Sequence, residues 1–437
     1  MKNLGLVFFP AFDWMISPTH PERQERLLYT RDQLLEEGIF DLPEIREYRP
    51  KLATMQDLER VHVGIPKLSK LITKAHLVSA GSCLTVADAI MAKEVKRAFA
   101  LVRPPGHHAM RIVHGIRGFC VVNIEAVLVS YLRRKYGVKK IAIVDTDVHH
   151  GDGSQDIFYH DENTLYISFH QDGRTLYPGS GFTDELGGPK AFGTTINIPL
   201  LPGSGDIELQ RVFDRIVKPI LDDFGAEITI NSAGQDNHFS DPLASMKVTA
   251  QGYATLADKL KADIAVLEGG YSVEAALPYV NTGIVLAMAG LDYSGVVEPV
   301  SNVPRGGSSE CMRRVDSLTE EIGNMWANRE KNKAKLLDKY GKMFTRKKAI
   351  YYDEDGIMDH QIETIYYCDN CDGFIVTYSE ANGPNFKNRE SFIVSLAPEI
   401  CEKCKLKAYQ MAYDARKNAN YKYICVQNRK TGLIEEI

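Results

Sequence analysis

No stretch of the 437 residues approaches the roughly 18 consecutive apolar residues that a membrane-spanning helix needs. Positive charge is not in excess either. Against 57 Asp+Glu stand 52 Lys+Arg, a net charge of −5, so no broad basic field would recruit nucleic acid. Internal repeats and low-complexity tracts are absent, which sets aside a repeat architecture. The apolar run Leu4 to Phe12 contains Pro10 and lacks a small-residue cleavage site, so a first strand is expected there rather than a signal peptide. GSGFTD and GSGDIE each fall short of G-x-G-x-x-G, leaving dinucleotide chemistry without support. What remains is a globular chain, expected in the cytoplasm, with 44% hydrophobic and 25% charged residues. Its length allows one large core plus a smaller appendage.

Between residues 98 and 290 short apolar runs alternate with segments of helical spacing. AFALV (98–102), IAIVD (141–145), TLYISF (164–169), EITIN (227–231) and DIAVLE (263–268) read as strands covered on both faces. Asn123 to Tyr136, Asp206 to Asp223 and Thr249 to Lys261 read as helices between them. This alternation predicts an α/β fold with a mainly parallel sheet and helices on both sides. PVSNVPRGGSSE, starting at Pro299, is a linker and the clearest boundary in the chain. Residues 309–346 then look helical, with Val315, Leu318, Ile322 and Met325 on one stripe and Leu336, Tyr340 and Met343 continuing it. The charged ANREKNKAK between these halves favours a solvated helix packed on the body over a dimerising coiled coil. Three units are therefore expected: 1–300, a linker and charged amphipathic helix over 301–350, and 351–437.

In open parallel sheets, ligands sit beyond the carboxyl ends of the strands, so the residues that follow each strand carry the chemistry. RPPGHHA presents His107 and His108. After IAIV come Asp145, Asp147, His149, His150 and Asp152; after EITIN comes SAGQD with Asp236; after DIAVLE comes GGY with Tyr271. Any one of these is ordinary loop material, but their convergence on one rim points to a functional site. A calcium EF-hand loop is excluded, because counting from Asp145 places His150 at position six and Asp156 at position twelve. Imidazole beside carboxylates favours a transition metal, with Zn²⁺ the usual redox-inert choice. Asp147 and His149, two apart in extended backbone, point the same way, and Asp236 would complete a three-ligand site of the open, catalytic kind. Metal-activated water needs a general base, for which His107 and His108 are available, with Asp145 and Asp152 free to fix a tautomer. Tyr271 can donate to an oxyanion. The assembly reads as metal-assisted hydrolysis of an amide or similar carbonyl.

PTHPERQERL (18–27), LVRPPGHHA (101–109), GFCVVN (118–123), VDTDVHHGDG (144–153), SFH (168–170), YPGSG (177–181), SAGQD (232–236), DPL (241–243) and LEGGY (267–271) together resemble the zinc-dependent histone deacetylase family, including its bacterial amidohydrolases and the acetylpolyamine amidohydrolases. They run in family order over about residues 1–295. The resemblance implies an arginase/deacetylase α/β fold with a narrow tunnel and Zn²⁺ on Asp147, His149 and Asp236. It implies His108 as principal base and acid, His107 as its electrostatic partner, Asp145 pairing with His107 and Asp152 with His108. Phe119 and Tyr177 would form tunnel walls, with Leu243, Gly269 and Gly270 also lining it. Arg26 would line an internal channel, and the backbone at Asp145 and Ser168 would hold a structural K⁺ or Na⁺. The two-metal arginase branch is excluded, since D-x-H-x-D would need an acid at Gly151 and D-x-D an acid at His238.

The implied substrate is an acetylated lysine or lysine-like amine, in a peptide or a small molecule. Acetylpolyamine deacetylation stands beside it, and a catalytically silent acyl-binding module is the alternative of another class. Leu243 stands where polyamine-specific relatives can carry an acid. The loop MRIVHGIR carries Arg111, His114 and Arg117 and no acid, which suggests a mouth that disfavours polycations and suits a carboxylate-bearing or acidic-flanked substrate; the opposing reading is that these arginines face solvent or pair internally. The rim aspartate with which the family orients peptide backbone has no counterpart between Val63 and Ala80.

The eight cysteines are unevenly placed. Cys83 and Cys120 are expected as small buried side chains, and Cys311 and Cys425 have no evident partner. Cys368-x-x-Cys371 and Cys401-x-x-Cys404, separated by the β-rich FIVTY and SFIVSL, look like a zinc ribbon closing a structural tetrathiolate site. This lobe could bind a partner, cover the active-site mouth or brace a homo-oligomer. DNA binding has little support, because acids are interleaved with its lysines.

Overall fold

The apolar runs fold as one eight-stranded parallel sheet. Its strands are β1 (Lys2–Phe9), β2 (Ile45–Tyr48), β3 (Val95–Val102), β4 (Ile141–Asp145), β5 (Thr164–Gln171), β6 (Thr195–Leu200), β7 (Ile228–Ala233) and β8 (Ile264–Leu267), in the order β2-β1-β3-β8-β7-β4-β5-β6. This computed structural model describes residues 1–300, 303–418 and 421–437, so Ser301 and Asn302 of the expected linker lie outside the described residues. All six strands read from sequence are present. The two edge strands, β2 and β6, were not anticipated: β2 is short and polar, and β6 carries Pro199, which a sheet edge tolerates.

Helices cover both faces. On one side α1 (Lys74–Met91) and α2 (Ile124–Tyr136) pack through Leu84, Ala87, Val127 and Leu128 onto Ala98, Ile143 and Val266. On the other, α3 (Ala250–Leu260) and α4 (Leu277–Ala289) meet Leu6, Val144 and Ile167. The Asn123 and Thr249 side chains accept from the backbone N–H groups of Ala126 and Gly252, capping α2 and α3 where the helical patterns begin.

The segment after the linker differs from the single helical stretch expected over 309–346. Helix α5 (Ser309–Ala327) buries Val315, Leu318 and Ile322 in the body's core, and α6 (Arg329–Tyr340) buries nothing. Met343 belongs to a strand instead, so the segment taken as linker and helix to residue 350 already holds most of the lobe's first strand. The lobe is a six-stranded mixed sheet of β9 (Met343–Tyr352), β10 (Ile357–Tyr366), β11 (Phe374–Gly383), β12 (Phe386–Leu396), β13 (Tyr423–Asn428) and β14 (Leu433–Glu436), in sequential order, with α7 (Glu402–Asn418) packed against β12 and β13. No helix among the described residues is long and apolar enough to cross a membrane.

The lobe docks through buried charge beside two apolar contacts, Ile112 on Ile393 and Met110 on Ile350 and Tyr352. Strand β10 buries Asp359, Gln361 and Glu363 while exposing Met358 and Ile362. Glu363 takes Arg111 and His160 of the body and Arg346 and Lys348 of its own sheet, and the latter two also bind Asp156 of the body. Burial opposes ionisation of Glu363, but these cations hold its carboxyl well below the usual range.

Candidate functional site

The C-terminal ends of β3, β4, β7 and β8 deliver the side chains that the sequence placed on one rim. The ligand atoms of Asp147, His149 and Asp236 lie within 4.8 Å of one another, and all three residues are buried. His149 Nδ1 is 3.2 Å from Asp147 Oδ1 and 3.1 Å from Asp236 Oδ2. The main chain braces the acids: Gly269 N–H donates to Asp147 Oδ2 at 2.8 Å, and Val148 N–H to Asp236 Oδ1 at 2.8 Å. A Cβ at Gly269 would sit 2.2 Å from Asp236 Oδ2 and 2.6 Å from Asp147 Oδ2, so the approach of β8 to the trio demands glycine. Burial would lower the His149 imidazole, but Asp147 and Asp236 draw it up to about 10. Three buried donors that favour positive charge at their centre, with N and O ligand atoms, fit a divalent transition metal.

Beside the trio stand two histidine–carboxylate pairs. His107 Nδ1 meets Asp145 Oδ2 at 3.1 Å, and His108 Nδ1 meets Asp152 Oδ1 at 2.8 Å. An ionised carboxylate only accepts, so each Nδ1 carries a proton; the Nε2 of His108 is left free, whereas that of His107 lies 3.8 Å from Asp147 Oδ1. Burial lowers both imidazoles. Against it, Asp147 and Asp145 hold His107 above its ordinary value, whereas the charges of His107 and His149 push His108 further down. The two histidines thus differ in basicity although their rings are 4.1 Å apart.

Aromatic rings close the site. The Tyr177 ring lies 5.2 Å from that of His108, and the Phe119 ring lies 5.5 Å from that of Tyr271. Gly118 and Phe119 both have positive φ, +49° and +69°, which throws the Phe119 ring inward; a Cβ at Gly118 would meet His108 Cδ2 at 2.4 Å. Tyr271 N–H donates to Asp241 Oδ2 at 2.7 Å, and Asp241 Oδ1 takes Leu243 N–H, which ties half-buried Leu243 to the same turn. Gly270 turns at φ +120° just before Tyr271. Arg26 is fully buried and committed to the main chain there: Nε donates to the Gly270 carbonyl at 2.9 Å, Nη2 to that of Glu268 at 2.7 Å, and Nη1 pairs with Glu22. Asp145 and Ser168 face each other across β4 and β5.

Two participants, Glu268 and Tyr166, carried no signal in the sequence. Glu268 Oε2 accepts from Gly106 N–H at 2.7 Å and His107 N–H at 2.9 Å, fixing the turn that presents both histidines. Tyr166 donates its hydroxyl to Asp145 at 2.8 Å. His150 is a packing group: Nδ1 meets Ser180 Oγ and Nε2 meets Gln155 Oε1, and burial lowers it to about 4. Gly151 is required sterically, since a Cβ there would approach Asp145 Oδ2 to 2.3 Å.

The loop cations do not form an open basic mouth. Arg111, His114 and Arg117 are 2%, 2% and 7% exposed. They pair with Glu363, with Ser379 and Asp359, and with Asp152 respectively, so internal pairing is the correct reading. A carboxylate of the lobe reaches this rim: Asp353 Oδ1 accepts from Gly118 N–H at 3.0 Å and the Tyr177 hydroxyl at 3.1 Å.

At the far end of β10, the sulfurs of Cys368, Cys371, Cys401 and Cys404 also lie within 4.8 Å of one another. Asn370 and Gly373 N–H each approach a sulfur at 3.4 Å, of Cys368 and Cys371, and the hydrogen bond from Asn370 helps lower the Cys368 thiol to about 7. Turned backbone donors and four converging sulfurs fit a tetrahedral thiolate metal site. All eight cysteines are free of disulfides. Cys83 and Cys120 are buried as expected, and so are Cys311 and Cys425.

Comparison with known proteins agrees with this geometry. The histone deacetylase domain matches residues 66–287. A probable deacetylase of Archaeoglobus fulgidus is 45% identical over 315 residues, covering 66% of this chain and 86% of the relative. The histone deacetylase-like amidohydrolase of Pseudomonas aeruginosa is 33% identical over 261 residues, covering 56% and 67% respectively. The crystal structure of the HDA15 HD domain superposes with a TM-score of 0.65 at 28% identity, over 77% of this chain and 99% of that one. With its parallel sheet and the motifs that shape this rim, the chain belongs to the histone deacetylase family of amide hydrolases.

Proposed function

We propose that the protein is a zinc-dependent amidohydrolase that removes an acetyl or similar acyl group from the side-chain amine of lysine or a lysine-like substrate. The observation that carries this reading is the buried Asp147–His149–Asp236 trio beside an imidazole whose Nδ1 is tied to a carboxylate. Zn²⁺ on the trio supplies Lewis-acid polarisation of the scissile carbonyl and of a water molecule. His108, its Nδ1–H donating to Asp152, takes a proton from the attacking water at Nε2 and returns it to the departing amine. His107 keeps its proton and stabilises negative charge as it develops; the divergence of the two imidazoles suits these roles. Tyr271, with its main chain held by Asp241 and Arg26, donates its hydroxyl to the oxyanion. Phe119 and Tyr177 sandwich the methylene chain and exclude water. Zn²⁺ in the four-cysteine set has a structural role in the lobe.

Acetylpolyamine deacetylation is the second reading, and one observation favours it. The acids Asp353, Glu354 and Asp355 stand at the pocket wall while the loop arginines are buried, an arrangement that suits a cationic substrate tail. A turnover panel of acetyl-lysine peptides, acetylpolyamines and N-acetyl amino acids with zinc-loaded protein decides between them, with Tyr271→Phe as control. Peptide turnover that falls about 100-fold or more in the control supports the first reading. Faster turnover of acetylputrescine selects the second. Absence of hydrolysis with zinc bound defeats both and leaves an acyl-binding module.

A further inference from the structure

Three consecutive residues, Ile116 to Gly118, are strapped to the lobe at alternate positions of one hairpin, at the end of β9 and in the turn that follows. Ile116 N–H donates to Asp355 Oδ2 at 2.6 Å, the Arg117 guanidinium to the Tyr351 carbonyl, and Gly118 N–H to Asp353 Oδ1 at 3.0 Å. Two of the straps, those of Arg117 and Gly118, lie one contact from the chemistry. Asp353 Oδ1 also takes the hydroxyl of Tyr177, whose ring packs on His108. Arg117, while held by the lobe carbonyl, donates through Nε to Asp152 Oδ2 at 2.9 Å and also through Nη2. The other oxygen of that carboxylate holds His108 Nδ1 at 2.8 Å.

We propose that the lobe is a working part of the pocket and that Asp353 and Arg117 are positioning residues. Asp353 fixes the wall formed by Gly118 and Tyr177, and Arg117 fixes Asp152 and thereby the orientation of His108. The two residues act on different quantities. Tyr177 and Gly118 shape the space for the acyl chain in ground and transition states alike, so Asp353 governs affinity. His108 is used only as the proton moves, so Arg117 governs turnover. The covalent body alone would leave Arg117 with one partner and the wall segment with three unmade bonds.

The inference rests on the deacetylase reading for its turnover arm and on ligand affinity for its second arm. Full-length Asp353→Ala, Asp353→Asn and Arg117→Met are compared with wild type for kcat and KM on the best substrate of the panel. Affinity for octanohydroxamic acid, metal content and thermal midpoint are measured alongside. Asp353→Ala is expected to raise KM and the hydroxamate Kd about tenfold with kcat within about threefold. Asp353→Asn keeps an acceptor oxygen and is expected to restore both to within about twofold. Arg117→Met is expected to lower kcat about tenfold or more at nearly constant KM. A lowered midpoint with unchanged KM, Kd and kcat would show a merely structural lobe and overturn the proposal. Asp353→Asn as impaired as Asp353→Ala overturns the positioning role in favour of charge. A wild type that binds the hydroxamate and hydrolyses nothing defeats the deacetylase reading, and the dissociation constants alone then decide this one.

Discussion

Two clusters of metal-type donors stand in one chain and are held in opposite ways. Asp147, His149 and Asp236 are buried at the ends of central strands, and their carboxylates are braced by backbone N–H groups of the turns after β8 and β4. Cys368, Cys371, Cys401 and Cys404 are only partly buried, at the end of a lobe whose own core is small: Phe374, Val376, Val394, Leu396 and a few neighbours. In the body, extensive cores on both sheet faces build the fold and the fold holds the trio. With Zn²⁺ in the four-cysteine set, as proposed, the lobe's dependence would run the other way, the metal cross-linking a small core. Donors placed by a fold can keep a position open for chemistry; donors that hold a fold are used up in doing so.

The largest test of this contrast is Cys371→Ser with Cys404→Ser. Structural thiolate sites contribute about 10–16 kcal/mol to folding, so the lobe should lose protease resistance and one metal per chain while the body keeps its melting transition. A lobe that stays folded would break the comparison. Next comes Asp236→Ala. It should remove the other metal and lower kcat by about 10³-fold or more, at least ~4 kcal/mol, with little change in the thermal midpoint. Collapse of the body in that variant would mean that its trio, too, is structural.

Glu363→Gln tests how the regions are joined. It leaves Arg111, Arg346 and Lys348 short of a buried countercharge and should cost about 3–5 kcal/mol, read as a lowered denaturant midpoint. The smallest effect sharpens the account of the body. His62 is neutral, its Nδ1 donating to the Met110 carbonyl at 2.8 Å and its Nε2 accepting from Asn123 N–H at 2.9 Å, and burial lowers it to about 4. The unfolded chain therefore takes up this proton first as pH falls. The stabilisation is complete above about 6.5 and is lost toward pH 4, by at most about 3 kcal/mol. Chemical denaturation across that window should show a shallower slope in His62→Gln than in wild type.

The body was legible in sequence because buried parallel strands are continuous apolar runs and its chemistry follows directly after them. AFALV, IAIVD, EITIN and DIAVLE each lead into a residue of the site. The lobe's contribution was hidden for a physical reason. Strand β10 inverts the usual pattern, burying Asp359 and Glu363 and exposing Met358 and Ile362, because its partner surface is charged. Arg111 and Arg117 read as an open basic mouth for the same reason: Glu363 and the Tyr351 carbonyl, which hold them, lie more than 230 residues away. Long-range pairing of charges has no local period. Likewise the acid at the wall could not be sought among residues 63–80, because Asp353 arrives from another sheet.

The three straps between residues 116–118 and 351–355 also bear on inheritance. A substitution in that turn is felt at the pocket, so the tail cannot drift as a freely exchanged appendage would. Body and lobe must change together. A hybrid joining this body to another family member's tail should fold and still catalyse poorly until the turn's acceptors are restored.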